Sequence, residues 1–240
     1  MTLVSEKGEL VNILITAGGT REDIDPVRGI TNYATGRLGR LIADLFLKSG
    51  DSVTYICAET SERPSTCTQF LDTIIVRNTA QLKEQFESAL LRRPYDAVIH
   101  SMAVSDYAPC NTASKKISSD SPFLVVVLER QPKVIKLAKE IQPDAILVGF
   151  KLLSSANEEE LLQAARKQIL KYHSDYVLAN SQDDIKGNSH KAMLIGRDGI
   201  VARGNTKEEI AGQIYRQIYK GVRTSYENNI TRDHRQYCSV

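Results

Sequence analysis

The sequence predicts an α/β fold: a Rossmann-like, mostly parallel sheet with helices on both faces and a small C-terminal extension of one β-hairpin and one helix. Three observations predict it. Short apolar runs alternate with amphipathic segments, as in parallel sheets whose strands are joined by helices. The first run, 12–16, leads into the pair Gly18-Gly19, which is typical of a buried strand that enters a tight loop. Near the C-terminus, Arg197-Asp198-Gly199 joins two apolar runs and indicates a hairpin.

The order of the elements follows from apolar periodicity and from residues that match the capping-box pattern at helix starts. We assign them to one domain, 1–224, followed by a polar tail, 225–240, that we expect to be disordered. The predicted strands are 12–16, 52–57, 73–76, 96–100, 123–128, 145–150, 176–179, 191–195 and 200–203; the predicted helices are 36–49, 78–91, 133–141, 155–171 and one from Thr206; the capping pairs are Asn78 with Gln81, Ser155 with Glu158, and Thr206 with Glu209.

Composition excludes several classes of protein. The chain has 240 residues, of which 42% are hydrophobic and 25% charged, which is ordinary for a globular protein with a sizeable core. The formal net charge is only +2, so the chain lacks the strong positive charge typical of nucleic-acid-binding proteins. No apolar run approaches the roughly 18 residues of a membrane span, and 1–9 lack the apolar core of a secretory signal. We therefore expect a cytoplasmic protein with no nucleic-acid or membrane partner.

The four cysteines are interpreted as free thiols. Cys57, Cys67, Cys110 and Cys238 form no C-x-x-C pair, and no histidine lies at metal-ligand spacing from them. A reducing cytosol keeps such thiols unpaired. The pattern therefore predicts neither a disulfide framework nor a metal held by protein side chains alone.

Two glycine-bearing loops flank the start of the first predicted helix. Gly18-Gly19 follows the first strand, and Gly36 and Gly39 lie at the helix start. Glycines let a phosphate approach the backbone, and a helix N-terminus adds N–H donors. A dinucleotide fold that binds NAD(P) is the alternative interpretation. It is disfavoured because G-x-G-x-x-G is absent and the first acid after the second strand, Glu59, lies about forty residues beyond Gly18 instead of about twenty.

The segment ITAGGTREDIDPVRGITNYATGRLG, 15–39, resembles the N-terminal signature of the phosphopantothenate–cysteine ligase family. The resemblance continues at HSMAVSDYAP (100–109), KISS (116–119), VGFKLL (148–153) and LANS (178–181), and it covers 12 to about 222. HSMAVSDY and GFKLL look most like the stand-alone bacterial ligases. The fused enzymes carry a flavin-dependent decarboxylase domain ahead of the ligase domain. Because the resemblance is to the stand-alone ligases, which have no such domain, we expect no flavin.

The resemblance implies a ligase of coenzyme A biosynthesis that joins 4′-phosphopantothenate and L-cysteine. The carboxylate attacks the α-phosphorus of a nucleoside triphosphate, pyrophosphate leaves, and the cysteine amine then attacks the acyl-nucleotidyl intermediate and releases the nucleoside monophosphate. CTP is favoured over ATP because the motifs resemble those of the bacterial ligases. Mg²⁺ shares the triphosphate charge. The family resemblance also implies a homodimer.

Residue roles are carried over where the motifs align. Asn32 and Lys116 are implied as catalytic residues, with Asn32 holding the intermediate and Lys116 a phosphate. Asn32, Thr35 and Arg28 are implied in substrate binding. The positions implied in nucleotide binding are Gly18, Gly19, Gly36, His100, Ser101, Met102, Asp106, Lys116, Pro132, Phe150, Lys167 and Lys171.

Alternatives remain for several of these residues and for the function. Ser118 and Ser119 occupy the region where many fused enzymes have a second lysine. Phe150 also fits a core aromatic at a strand end, and the pair Lys167 and Lys171 fits a solvated helix face. An NAD(P)-dependent reductase and a non-catalytic nucleotide-binding relative are the competing functions.

Overall fold

A computed structural model describes residues 10–187 and 189–237, the last thirteen of them by backbone only. The chain divides into two compact units, Met1–Ala145 and Ile146–Val240, which we call unit 1 and unit 2. The prediction of a single domain over 1–224 stays a prediction.

Unit 1 is built on a parallel sheet in which β1 lies between β6 and β4, and β4 pairs with β5. Two short antiparallel pairs, β2 with β3 and β7 with β8, lie outside this sheet. The elements of unit 1 are β1 (Asn12–Ala17), β2 (Arg21–Asp23), β3 (Gly29–Thr31), α1 (Arg37–Lys48), β4 (Ser52–Ala58), β5 (Leu71–Val76), α2 (Thr79–Arg92), β6 (Ala97–His100), β7 (Tyr107–Pro109), β8 (Leu128–Arg130) and α3 (Lys136–Ile141).

Helices cover both faces of the unit 1 sheet. Gly39 of α1 lies against Ala17, where a Cβ on the glycine would come within 2.6 Å of the alanine Cβ. On the opposite face, the ring of Phe86 in α2 lies 5.5 Å from that of His100. Thr16, the register partner of His100, points to the same face as His100. Ala17, the next residue of β1, points to the other face, because neighbouring residues of a strand alternate between faces. The strands β1, β4 and β6 are buried on both faces, which explains their continuous apolar runs, whereas the edge strand β5 is largely exposed.

Unit 2 begins with a parallel pair, β9 and β10, to which β13 and then β14 add in antiparallel orientation. Helix α4 packs Leu161, Ala165 and Ile169 on Val177 and Ile195 of the strands, which gives the unit its own apolar core. The elements of unit 2 are β9 (Ile146–Leu153), α4 (Glu158–Tyr172), β10 (Tyr176–Ser181), a 3-10 helix (Gln182–Asp184), β11 (Ile185–Lys186), β12 (Ser189–His190), β13 (Ala192–Gly196), β14 (Gly199–Gly204) and α5 (Lys207–Tyr237).

The predicted fold class is confirmed, but one predicted strand and one predicted cap are wrong. Of the apolar run 123–128, only its last residue belongs to a strand, β8. Residues 123–127 are coil, exposed except for the half-buried Val126, because among the described residues only Cys110 donates a backbone hydrogen bond to them, at Val127. The capping box of α4 is Asn157 with Glu160, not Ser155 with Glu158. Ser155 instead has a φ of 50° and turns the chain before the helix begins.

Helix α5 includes the backbone of 225–237, which belongs to the segment that the sequence predicts to be disordered. The side chains after Thr224 and residues 238–240 lie outside the described part of the chain, and the prediction for this tail stays a prediction. In the described ranges, 10–187 and 189–237, every helix is too short or too polar to cross a membrane.

Candidate functional site

The two glycine loops of unit 1 meet at the side chain of Ser61. Gly18 and Gly36 have φ angles of 88° and 76°, which side-chain-bearing residues rarely adopt. A Cβ on Gly18 would lie 1.7 Å from Ser61 Oγ, and one on Gly36 would lie 2.8 Å from it. Ser61 Oγ in turn donates a hydrogen bond to the carbonyl of Ala17 at 3.1 Å. Both loops therefore need glycine for conformation and for space.

The N-terminus of α1 begins directly after these loops. Its N-cap residue, Gly36, has no side chain to satisfy the first N–H groups, and the first turn carries no acidic residue. The N–H of Arg37 donates to Thr35 Oγ1 at 3.3 Å. Unsatisfied N–H groups and the helix dipole together favour an anion, such as a phosphate, at this end.

Asn32 and Thr35 lie beside the glycine loops. The carbonyl oxygen of Asn32 packs on Gly19, where a Cβ would approach it to 2.7 Å. The Asn32 and Thr35 side chains are exposed, and the Thr35 carbonyl accepts the N–H of Glu62 at 2.9 Å. The structure therefore brings Asn32 and Thr35 together with the glycines that the sequence singled out.

The loop after β6 is bound to the loop after β1. The N–H of Ala103 donates to the carbonyl of Gly18 at 2.8 Å, so the carboxyl ends of these neighbouring strands are held together. Ser101 donates to the Thr16 carbonyl through both its N–H, at 3.1 Å, and its Oγ, at 2.6 Å. The N–H of Met102 donates to Thr16 Oγ1 at 3.4 Å. These N–H groups are thus engaged within unit 1, which leaves carbonyl oxygens to contact a ligand here.

The His100 side chain belongs to the core. It is buried, and its Nδ1 shares a 2.9 Å hydrogen bond with Thr16 Oγ1. Burial disfavours the imidazolium form and lowers the pKa of His100 to about 4. His100 is therefore neutral near pH 7 and is not placed to act as a cation toward a phosphate.

Asp106 lies opposite a cation that sequence reasoning missed. The ammonium group of Lys133 forms a salt bridge with Asp106 Oδ1. The carbonyl of Asp106 also accepts the N–H of Gln131 at 2.8 Å, so Asp106 is held next to Pro132 and Lys133. The sequence feature that could have identified Lys133 is its position directly after Pro132, a predicted nucleotide-binding residue, at the start of a predicted helix.

Lys116 is exposed, and the chain beside it is anchored to the signature segment. Ile117 donates its N–H to Asp25 Oδ2 at 3.2 Å, and its carbonyl accepts Arg28 Nη2 at 2.9 Å. Arg28 Nη1 lies 3.6 Å from Asp25 Oδ2. The guanidinium of Arg28, predicted to bind substrate, thus makes contacts inside the fold.

The three predicted site residues of unit 2 lie on β9 and α4. Phe150 is half-buried on β9. Lys167 and Lys171 are exposed and one turn apart on α4, on the side away from its buried stripe. Lys171 Nζ lies 5.5 Å from the centroid of the Tyr172 ring, a distance at which the cation and ring attract each other.

The cysteines of the described chain carry free thiols. Cys57 is buried, and its burial raises the pKa of the thiol, whereas Cys67 and Cys110 are exposed. The prediction for Cys238 lies outside the described residues. Among the described side chains, those of 10–187 and 189–224, no three of His, Cys, Asp or Glu are grouped closely enough to hold a metal ion.

Comparison with known proteins identifies one family. The family described as "DNA/pantothenate metabolism flavoprotein C-terminal domain" matches residues 9–222 of this chain. A curated relative, the coenzyme A biosynthesis bifunctional protein CoaBC of Thermococcus kodakarensis, is 41% identical over 210 residues, which are 87% of this chain and 51% of the relative. The Bacillus subtilis protein of the same name is 32% identical over 181 residues, 74% of this chain and 41% of the relative. The chain therefore spans about half the length, or less, of these curated relatives.

Two solved structures share the fold. The DNA/pantothenate metabolism flavoprotein from Streptococcus pneumoniae is 34% identical, with a TM-score of 0.80 over 88% of this chain and 99% of that one. The C-terminal domain of a CoaBC protein is 28% identical, with a TM-score of 0.69 over 87% of this chain and 93% of that one. These similarities cover both units of the chain.

Proposed function

Because this chain belongs to the family of the DNA/pantothenate metabolism flavoprotein C-terminal domain, we propose that it catalyses the ligation of 4′-phosphopantothenate to L-cysteine in coenzyme A biosynthesis. One observation carries the proposal. The glycine loop after β1 meets the uncapped N-terminus of α1 at Ser61, with Asn32 exposed beside it. This arrangement offers backbone donors for a phosphate next to an amide side chain that can hold an acyl intermediate.

In the first step, a carboxylate oxygen of 4′-phosphopantothenate attacks the α-phosphorus of a nucleoside triphosphate. A P–O bond to the acyl group forms, the bond to the β-phosphate breaks, and pyrophosphate leaves with the bonding electrons. The reaction needs positioning and neutralisation of phosphate charge. We assign these tasks to the N–H groups at the start of α1 and to the Lys116 ammonium.

In the second step, the amine of L-cysteine attacks the activated carbonyl carbon. An amide bond forms, the amine loses a proton, and the nucleoside monophosphate leaves. Negative charge develops on the carbonyl oxygen, and we assign the Asn32 amide as the donor that stabilises it. An amide donates a hydrogen bond without adding charge, so it adds no charge–charge attraction that would hold the leaving phosphate.

We assign the nucleotide to the loops after β6 and β8. Asp106 can accept a hydrogen bond from a ribose hydroxyl, and its partner Lys133 adds a second cation beside Pro132. The carbonyl oxygens of His100 to Met102 are suited to read donors on a base, since two N–H groups there are already engaged. CTP is favoured over ATP, and Mg²⁺ accompanies the triphosphate. The contacts implied for Phe150, Lys167 and Lys171 stay predictions.

A pyrophosphate-release assay tests the proposal. The protein is mixed with 4′-phosphopantothenate, MgCl₂ and either CTP or ATP, with and without L-cysteine. We expect pyrophosphate release that requires phosphopantothenate, and amide product only when cysteine is present. Omission of each substrate in turn is the control. Absence of release with both nucleotides would overturn the proposal, and a reductase would instead bind NAD(P) under the same conditions.

We further propose that the protein forms a homodimer through an arm of unit 1, which comprises β7, β8 and the coil 123–127. Phe123, Val125 and Val127 expose 82%, 84% and 67% of their surface. An exposed apolar run of this kind marks an interaction surface. A second copy is the natural occupant, because the unpaired edge of the arm can pair with an identical edge related by a two-fold axis.

The dimer proposal is tested by sedimentation or light scattering of the purified protein. We expect a mass of about twice that of the chain, and a shift to the monomer mass when Val125→Lys places a charge in the arm. Leu170→Lys, at an exposed leucine of α4 in unit 2, is the matched control and should leave the mass unchanged. A monomeric wild type would contradict the proposal.

A further inference from the structure

We infer that Asp25 and Arg28 are positioning residues for Lys116, and that they act by fixing both peptide groups of Ile117. The inference rests on the proposed function, in which Lys116 contacts the triphosphate. It assigns to two charged residues of the signature a task inside the fold. We call the arrangement of Asp25, Arg28 and Ile117 the Ile117 clamp.

Asp25 divides its two carboxylate oxygens between a local turn and a distant loop. Its side chain is fully buried. Oδ1 accepts the N–H groups of Val27 and Arg28, each at 2.8 Å, which closes the turn after β2. Oδ2 accepts the N–H of Ile117, 92 residues further along the chain, at 3.2 Å. The carboxylate therefore joins the signature segment to the loop that carries Lys116.

Arg28 completes the clamp from the carbonyl side of Ile117. Its Nη2 donates to the Ile117 oxygen at 2.9 Å, while Nη1 faces Asp25 Oδ2 at 3.6 Å. The N–H and the carbonyl of one residue are thus bound by two side chains that also attract each other. Such an arrangement fixes the direction of the chain as well as its location.

The rest of this loop is attached to the same segment. Thr112 Oγ1 donates to the carbonyl of Asp23 at 3.0 Å, and the N–H of Ala113 donates to the carbonyl of Ile24 at 2.9 Å. Together with the Ile117 clamp, these bonds hold the chain on both sides of Lys116. Its backbone is therefore held in place while its exposed ammonium group stays accessible to a ligand.

The charge of Asp25 is maintained in its buried location. Burial by itself raises the pKa of this carboxyl, but the N–H donors of Val27, Ile117 and Arg28 and the guanidinium charge outweigh it, and the pKa lies below the usual value. Asp25 is therefore ionised at neutral pH. Its hydrogen bonds to the loop are charge-assisted, which makes them stronger than bonds between neutral groups.

Asp25→Asn tests the clamp with a small change of shape. The asparagine keeps one oxygen to close the turn, but its NH₂ group cannot accept the N–H of Ile117, and no charge faces Arg28. Asp44→Asn is the matched control. Asp44 is also a buried carboxylate of unit 1 that accepts backbone N–H groups and pairs with an arginine, but it anchors the loop at Ser65 and Thr66.

Hydrogen exchange of the Ile117 amide reports on the clamp independently of activity. We expect the exchange rate at Ile117 to rise at least about ten-fold in Asp25→Asn and to stay unchanged in Asp44→Asn, since a lost charge-assisted bond costs at least a factor of about ten. Peptides from the unit 2 strands serve as an internal reference for global stability. An unchanged Ile117 rate in Asp25→Asn would overturn the clamp.

A double-mutant cycle tests whether the clamp acts through Lys116. We expect Asp25→Asn to lower kcat/KM for the nucleotide about ten-fold in the wild type and less than about two-fold in the Lys116→Ala background. A purely structural role would give equal losses in both backgrounds, and that result would overturn the inference. If the wild type releases no pyrophosphate, the proposed function fails, while the exchange result still decides whether the clamp exists.

Discussion

The two halves of the signature segment use their residues in opposite ways. In 16–28, the charged side chains of Glu22 and Asp25 are buried and bind backbone N–H groups elsewhere in unit 1. In 29–36, the side chains of Asn32, Tyr33 and Thr35 are uncharged and exposed. The strands β2 and β3, which pair with each other, join these halves. Residues that match one motif thus differ in what surrounds them.

The difference teaches that charge in a motif is not evidence of ligand contact. A buried carboxylate is retained only where donors compensate for its lost hydration, so it organises loops. An exposed amide or hydroxyl costs little to leave solvated and is available to a substrate. We therefore expect changes at the exposed side chains of the second half to affect catalysis, and changes at the buried carboxylates of the first half to affect stability or loop position.

Asn32→Ala should have the largest effect on catalysis. Loss of one donor to a developing oxyanion costs roughly 10²- to 10³-fold in rate. We expect amide formation to fall by this factor while pyrophosphate release in the first step is spared. The two steps are measured separately by rapid quench, and thermal unfolding controls for stability. An equal loss in both steps, or no loss, would refute the role of Asn32.

Lys116→Ala should have the next largest effect. One lost charge-assisted contact is worth about 1.5–3 kcal/mol, or roughly ten- to a hundred-fold in kcat/KM for the nucleotide. Lys116→Arg should restore activity only in part, because a planar fork does not replace a compact ammonium charge. Lys115→Ala, at the neighbouring exposed lysine, is the control. Wild-type kinetics in Lys116→Ala would exclude the assigned contact.

Glu22→Ala should act on stability instead of chemistry. Glu22 Oε1 accepts both the N–H of Thr79, at 2.9 Å, and its Oγ1, at 2.7 Å, at the start of α2. Losing these bonds should lower the free energy of unfolding by about 2 kcal/mol. Glu84→Ala, an exposed position on α2, should change it by less than about 0.5 kcal/mol. Urea unfolding measures both, and a large kcat change in folded Glu22→Ala would contradict the comparison.

Cys110→Ser should have the smallest effect, less than about two-fold in turnover. Cys110 is exposed in the loop between Asp106 and Lys116, where it could be taken for a nucleophile. The proposed reaction already activates the acyl group as a mixed anhydride, so no thioester step is required. Steady-state kinetics of the variant check this. An inactive Cys110→Ser together with an acyl adduct trapped on Cys110 would overturn the mechanism.

Sequence patterns predicted the parts of the fold that depend on local periodicity. β1, β4 and the hairpin of β13 and β14 lie close to where apolar runs and turn residues predicted them. The apolar run 123–128 was misassigned because a strand requires a partner, and the sequence does not encode whether one is within reach. The short pairs of β2 with β3 and β7 with β8 were missed because three-residue strands have no detectable period.

The candidate site was predictable in position but not in its contacts. The glycines and Asn32 were located by the motif, and the structure brings them together. Lys133 and Ser61 were missed because each acquires its neighbours only on folding: Lys133 lies 27 residues from Asp106, and Ser61 lies 44 residues from Ala17. The contacts of Arg28 with Ile117 and Asp25 were likewise missed, because a motif names a residue but not its partners within the fold, and its implied role in substrate binding stays a prediction.

Packing around the glycine loops also determines which mutations can be rescued by a second one. Gly39 lies in the helix α1, and the atoms nearest to a methyl group there would be Ala17 Cβ at 2.6 Å and the Ser101 hydroxyl at 2.9 Å. Trimming those neighbours would therefore suppress a defect in Gly39→Ala. At Gly18, removal of the Ser61 side chain would relieve the collision but not the left-handed backbone. A side chain at 39 can therefore be accommodated by changes in its neighbours, whereas at 18 no change of a neighbour relieves the backbone conformation.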